Sequence, residues 1–337
     1  LPNVIRGADT SNRDTSDAPL WLFVAIQEYQ KVTGEEISLE PVKEVLLKDI
    51  LKSIAAHYIK GTPNGIQMDE ESGLIYSPAH FTWMDTNYPA GTPRQGYPIE
   101  IQALWYAALE FMHELFPGEK EWKTRSQLTK KSIKELFICE KEDPGPYQNK
   151  LRFLSDCLHS KYFQPAKEAI RDDHLRPNQL FVLTLGALED QTMSEDILSA
   201  CEELLIPGAI RTLADRDTEF PLQIKLNNEI LNNPHHPYQG KYSGEEDHFR
   251  KPAYHNGTAW TWPFPSYAEA LKIVYGNRGI KKARSFLNSS FLLMNEDCIN
   301  QLPEILDGDY PHQHKGCFAQ AWSLTEFYRV ANIIQLF

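Results

Sequence analysis

Two carboxylates stand out by the company they keep. Asp85 ends the run Phe81-Thr82-Trp83-Met84-Asp85, a lone acid among indole and apolar side chains. Glu304 is flanked by Leu302, Pro303, Ile305 and Leu306, just ahead of Asp307-Gly308-Asp309. Cleaving a glycosidic bond takes two carboxyl groups, one on each side of it, and one must be protonated to donate to the leaving oxygen. Apolar and aromatic surroundings raise a carboxyl pKa, so Asp85 suits the acid and Glu304 the second carboxylate. Plainer readings stand beside these. An acid after Pro303 serves equally as a charge at a helix N-terminus. The Asp85 stretch serves equally as an aromatic packing cluster at a capped helix.

Other chemistries find less support. The pairs His235-His236 and His312-x-His314 have ligand-like spacing, but neither lies on a helix with a carboxylate in register. Asp307-Gly308-Asp309 lacks the remaining ligands of a calcium loop. There is no Gly-x-Ser-x-Gly, no Walker loop and no dinucleotide fingerprint. Cys157 and Cys317 have no base beside them and read as packed thiols. Hydrolysis by two carboxyls needs neither metal nor cofactor, and none is expected.

These residues need elements to hold them. Pro98 is placed to open a helix over 99–115 that is apolar nearly all round and therefore buried. Other helices are predicted at about 21–32, from Ser38 as N-cap to 60, and at 119–137. Further ones are predicted at 176–188, 194–205, 260–275, 280–287, 296–301 and 316–336. A short hairpin is expected around Gly73. Residues 140–173 form a long excursion. Residues 212–256 form a long loop dense in Pro, Asn, His and Tyr, of the kind that is usually functional. Four stretches with site composition fall at loop-to-helix junctions: Asp14–Asp17, Phe81–Arg94 with its exposed-looking arginine, Lys251–Trp262, and Leu302–Ser323. A mostly helical ring with loops gathered at one end fits this order better than a bundle with short connections.

Composition narrows the partners. Over 337 residues the net charge is −12, which argues against nucleic acid and anionic membrane surfaces. Seven Trp, fifteen Tyr and sixteen Phe favour a neutral polyol ligand. Five scattered cysteines without a CxxC read as reduced thiols, pointing to the cytoplasm. No apolar run is long enough to span a bilayer. Leu1 stands where a methionine would, so the chain is expected to be a piece of something longer.

Together the motifs resemble a known family. FTWMDTNYPAGTPRQGYPIEIQALWYAAL (81–109) is similar to the signature segment of the amylo-α-1,6-glucosidase domain of glycogen debranching enzymes. LRPNQLF, AYHNGTAWTWPF and EILDGDYPHQHKGCFAQAWSLTE follow in the same order, and DTSDAPLW matches an earlier substrate-lining loop. The resemblance covers essentially the whole chain. It implies an all-α fold, an (α/α)6 toroid of the glucoamylase type, formed by residues 1–337 as one domain, with 212–256 as a loop on the active-site side. It implies an inverting hydrolase that removes the α-1,6-linked glucose stub from glycogen or limit dextrin. By motif, Asp85 would be the general acid and Glu304 the base, about 6.5–9.5 Å apart to admit water. Asp17, Trp21, Trp83, Arg94, Glu100, Tyr254, His255, Trp260, Gln320 and Trp322 would line the sugar site. The family's additional N-terminal helical stretch has no counterpart here. The ring is thus expected to lack its first helix pair, with the missing part of its own chain as a partner. The glucanotransferase centre of the family's two-activity members has no counterpart in these residues. Two alternatives stay open: a toroid glycosidase for another α-glucoside, and a non-catalytic glucan-binding module.

Overall fold

A computed structural model describes residues 1–142, 150–162 and 164–337, so part of the excursion at 140–173 lies outside the described residues. Helix, 3-10 turns included, makes up 43% of the described residues. The helices are α1 (Ala18–Thr33), α2 (Leu47–Lys60), α3 (Ile99–Leu115), α4 (Glu121–Leu136), α5 (Leu180–Thr184) and α6 (Gln191–Cys201). After these come α7 (Asp247–Tyr254), α8 (Phe264–Tyr275), α9 (Asn277–Asn288), α10 (Ser290–Leu293) and α11 (Ala321–Ile333).

Local chemistry sets both ends of α1. Asp17 caps α1 by accepting from the Ala18 N–H, Pro19 occupies its first turn, and Gly34 closes it at φ 74°. The α3 helix buries twelve residues. Gln102 accepts from the Ile75 N–H (2.7 Å) and donates to the Ile75 and Pro98 carbonyls. Trp105 donates to the Gly73 carbonyl at 3.1 Å. Paired in this way, Gln102 and Trp105 can be buried in an otherwise apolar helix without an unmet hydrogen bond.

Two apolar cores meet at α3. One joins α1, α2 and the Ile101, Leu104 and Trp105 face of α3. The other gathers α5, α6, α8 and α11 with Ile99, Ala103 and Tyr106. The α8 helix packs against α5, α6, α9 and α11 and is the hub of this second core.

The chain is mostly helical, as expected, but it also holds sheets that the all-α expectation left out. Short antiparallel strands stitch the connections, among them a five-stranded sheet in the order Leu205–Ile206, Ala209–Arg211, Ala259–Trp260, Ile305–Leu306, His314–Lys315. Each strand spans only two or three residues, too few to show a period of two in sequence. Other expectations shift for similar reasons. Ser38 lies in a 3-10 turn, and a Pro41–Leu46 hairpin turning at Lys43 (φ 60°) delays α2 to Leu47. Residues 296–301 are irregular, with Asp297 and Asn300 at positive φ. The 212–256 loop is not structureless either. It holds a hairpin, Lys225–Leu226 with Glu229–Ile230, whose Asn227-Asn228 turn has both φ values positive, and it ends in α7.

Candidate active site

The strand Ala259–Trp260 carries Trp260, and Trp262 follows in the bend just after it, so that both line one pocket. The strand Ile305–Leu306 pairs with it, which brings Glu304 alongside. The first turn of α11 contributes Trp322, and the N-terminus of α1 contributes Asp17 and Trp21. With Trp83, Asp85 and Tyr254 they surround a pocket of about 560 Å³. Asn3, Ala18, Thr82, Thr325 and Glu326 complete its lining.

Trp83 organises the aromatic wall. Its ring meets His255, Trp260 and Trp262 edge-on at centroid distances of 5.3, 5.2 and 5.0 Å. Trp262 stacks on Trp322 at 4.8 Å and on Phe181 at 5.5 Å. Edge-to-face and offset contacts are those the ring quadrupole prefers, so the wall is stiff as well as apolar. Trp322, 37% exposed, is the most open of these indoles.

The two carboxylates differ in setting. Asp85 is exposed at the pocket mouth, next to the nearly buried Trp83. Loss of solvent from surrounding protein lifts its carboxyl above the ordinary value, against the pull of an Asn3 hydrogen bond, its own backbone and the Lys251 charge. Glu304 is half-buried and held by donors on both oxygens. The Tyr254 hydroxyl donates to Oε1, and the Cys317 N–H donates to Oε2 at 2.9 Å. Burial, then the Glu304 bond, pushes the Tyr254 phenol far up, so it remains a donor. Gly316 makes the Cys317 contact possible. It sits at φ +67°, and a Cβ there would lie 2.3 Å from Glu304 Oε2. A third acid, Asp17, is raised by desolvation first and then by the Asp85 charge, while Thr15 and backbone donors lower it.

Four expected rim residues lie elsewhere. Arg94 is not exposed: it is 4% accessible and forms a fork with Glu100 at 2.6 and 2.5 Å and with Asp156 at 2.7 and 3.1 Å. Glu100 is therefore its counter-ion beneath the pocket. This layer still serves the wall. Asn178 donates to Asp156 at 2.7 Å and accepts from the Trp83 indole at 3.0 Å. Arg176 lies 3.4 Å from Asp156 and donates to the carbonyls of Thr212 and His255. His255 is buried, stacks on Trp260 at 5.1 Å, and has its pKa pushed well down by burial and by nearby guanidinium groups. It is a neutral flat ring behind the wall. Gln320 precedes α11, where its side-chain oxygen accepts from Ser323 at 3.0 Å.

Sequence reasoning missed Trp262, Thr325 and Glu326. A signal existed for Thr325 and Glu326, which are three and four residues from Trp322 on a helix. The paired histidines do not meet the pocket. His235 faces the Thr218 carbonyl, His236 pairs with Asp215 and Asp217, and His314 with Glu296 and Asp297. His312 faces the Asp307 carbonyl.

Such a pocket, two separate carboxyl groups under a tryptophan wall, can bind a sugar ring and polarise a bond to it. No curated protein sequence matches the chain significantly. Among solved structures, the chain is similar to a Streptococcus pneumoniae protein from a family described as metal-independent alpha mannosidases, in a non-productive complex with alpha-1,6-mannobiose. The TM-score is 0.50 at 12% identity, over 95% of this chain and 69% of that one, a likeness of fold. A family model described as amylo-alpha-1,6-glucosidase matches residues 1–329. The chain belongs to the amylo-alpha-1,6-glucosidase family of glycoside hydrolases.

Proposed function

We propose that the chain hydrolyses the α-1,6-linked glucose stub of a branched α-glucan such as glycogen limit dextrin, with inversion. In this reading residues 1–337 act as one unit, an (α/α)6 toroid. Asp85 gives its proton to the glycosidic oxygen as the bond to C1 breaks. Glu304 takes a proton from a water that attacks C1 from the opposite face, and the product is β-glucose. Asp17 hydrogen-bonds hydroxyls of the ring, while Trp21, Trp260, Trp262 and Trp322 supply its stacking surface. Lining of a single pocket by Asp85, Glu304 and these indoles is the observation that carries the reading. The lifted Asp85 carboxyl supports its role as acid. Five free thiols suit a cytoplasmic setting, and no helix among the described residues is long and apolar enough to cross a membrane.

The test is glucose release from a singly α-1,6-glucosylated maltooligosaccharide, with the product anomer read by NMR. The expected result is β-glucose from the wild-type chain and a loss of roughly 10³-fold or more in Asp85→Asn and Glu304→Gln, the scale of losing acid–base catalysis with its positioned water. Binding without release would leave a glucan-binding module. Preferred turnover of α-1,6-mannobiose would replace the glucan by a mannoside.

A further inference from the structure

His159, Asp172 and His174 come together away from the pocket that holds Asp85 and Glu304. Their donor atoms lie within 4.8 Å of one another. His159 Nε2 is 3.0 Å, and His174 Nδ1 3.3 Å, from the same oxygen, Asp172 Oδ2. Donor atoms around a four-coordinate zinc, each about 2.0–2.1 Å from the ion, are about 3.3 Å apart. Each imidazole nitrogen therefore already stands at first-shell spacing from the carboxylate oxygen, and the third separation is no more than 4.8 Å.

The surrounding groups assign the lone pairs. Asp172 Oδ1 is taken by Ser155 Oγ (3.0 Å) and the Asp156 and Cys157 N–H groups (2.9 and 3.3 Å), leaving Oδ2 to face both imidazoles. His174 Nε2 lies 3.0 Å from the Phe220 carbonyl, which can only accept, so the ring proton is assigned to that nitrogen. In the neutral ring Nδ1 then aims a lone pair at a carboxylate oxygen. Two acceptors at 3.3 Å repel unless a cation or a second proton lies between them. An imidazole fixed by a backbone carbonyl and a carboxylate fixed by N–H donors are the outer contacts typical of metal ligands.

We propose that His159 Nε2, Asp172 Oδ2 and His174 Nδ1 bind a divalent transition cation of the zinc type. Two nitrogens and one oxygen suit zinc, whereas magnesium and calcium favour all-oxygen shells. A route in exists: both histidines line a cavity of about 350 Å³, and His159 is 22% exposed. Arg94 and Arg176 line the same cavity, but Arg94 is engaged by Glu100 and Asp156, and Arg176 lies beside Asp156. The Phe220 ring covers His159 at 4.2 Å and gives the site an apolar lid. Bound there, the ion ties the strand Cys157–His159 to the segment after Ile170–Arg171. It is a staple, distinct from the hydrolytic pocket.

The test is calorimetric titration of the EDTA-treated chain with zinc chloride, and separately with magnesium chloride. One equivalent of zinc, no magnesium, and a melting temperature raised by zinc are expected. His159→Ala and His174→Gln should each weaken zinc binding at least tenfold and lose the zinc-dependent rise. His236→Ala and His314→Ala should change neither. Melting in EDTA checks folding, and His159→Ala, at the rim, decides the matter if His174→Gln fails to fold. Absence of stoichiometric zinc, or wild-type binding by His159→Ala, would overturn the site and identify the second proton as what lies between the two acceptors. So would loss of binding in the His236 or His314 variants.

Discussion

Glu304 is held from two sides, and each contact has a separable consequence. The Tyr254 hydroxyl is a donor to a charged group, a bond worth about 1.5–3 kcal/mol. If Glu304 activates water, Tyr254→Phe should lower kcat about 10- to 100-fold while KM changes little, because the lost contact orients the base rather than the sugar. A steady-state series on the branched maltooligosaccharide checks this. At Asp85 the charge of Lys251 favours the ionised carboxyl. Lys251→Met removes a positive neighbour, disfavours ionisation and moves the Asp85 pKa further up. The acid then stays protonated to higher pH, so the alkaline limb of the kcat/KM profile should shift upward. An unmoved limb would remove Asp85 from the role of acid. Motif matching reaches Asp85 and Glu304 but not the bond from Tyr254, which spans 50 residues of chain.

At the scale of elements, the 81–98 loop is fastened to α3 and to the strand Cys157–His159 through Arg94. Thr-Pro-Arg-Gln-Gly reads as an exposed turn because its composition is that of loops. Its guanidinium is instead folded inward at φ 45°, where Asp156, 62 residues further on, meets it. Arg94→Met would leave Glu100 buried without its counter-charge and Asp156 with only Arg176 and Asn178 beside it, a loss of about 3–5 kcal/mol. Urea unfolding should show a correspondingly lower midpoint. Arg94→Lys should recover only part of it, since one ammonium cannot span two carboxylates. A midpoint unchanged in Arg94→Met would mean that the network contributes nothing net. Here α3 was legible, since seventeen residues of nearly continuous apolar character from Pro98 leave a buried helix as the fitting element. The five-stranded sheet beside it was not, because two-residue strands are set by pairing across long separations.

For the whole molecule, the net charge of −12 bears on encounter rather than on fold. A neutral glucan gains nothing from electrostatic steering. Thus kcat/KM on the branched oligosaccharide should vary less than about twofold between 50 and 500 mM salt, at a pH away from the Asp85 limb. A steep fall would instead implicate a charged ligand. The two cores meet along α3, so packing defects on either side reach the helix that carries Glu100 and, through Arg94, the floor under Trp83.

The predominance of helix, the buried character of α3, the membership of a glycosidase family and the two carboxylates to consider were all legible in the amino-acid order. Those properties reside in short runs and motifs, where neighbours along the chain suffice. Tertiary structure decided which residues reach the pocket. It placed Trp262, Thr325 and Glu326 at the lining, moved Arg94, Glu100 and His255 beneath it, and set His159 beside Asp172 and His174. An arginine is exposed or buried according to whether a counter-charge meets it, and that charge is supplied by a distant part of the chain.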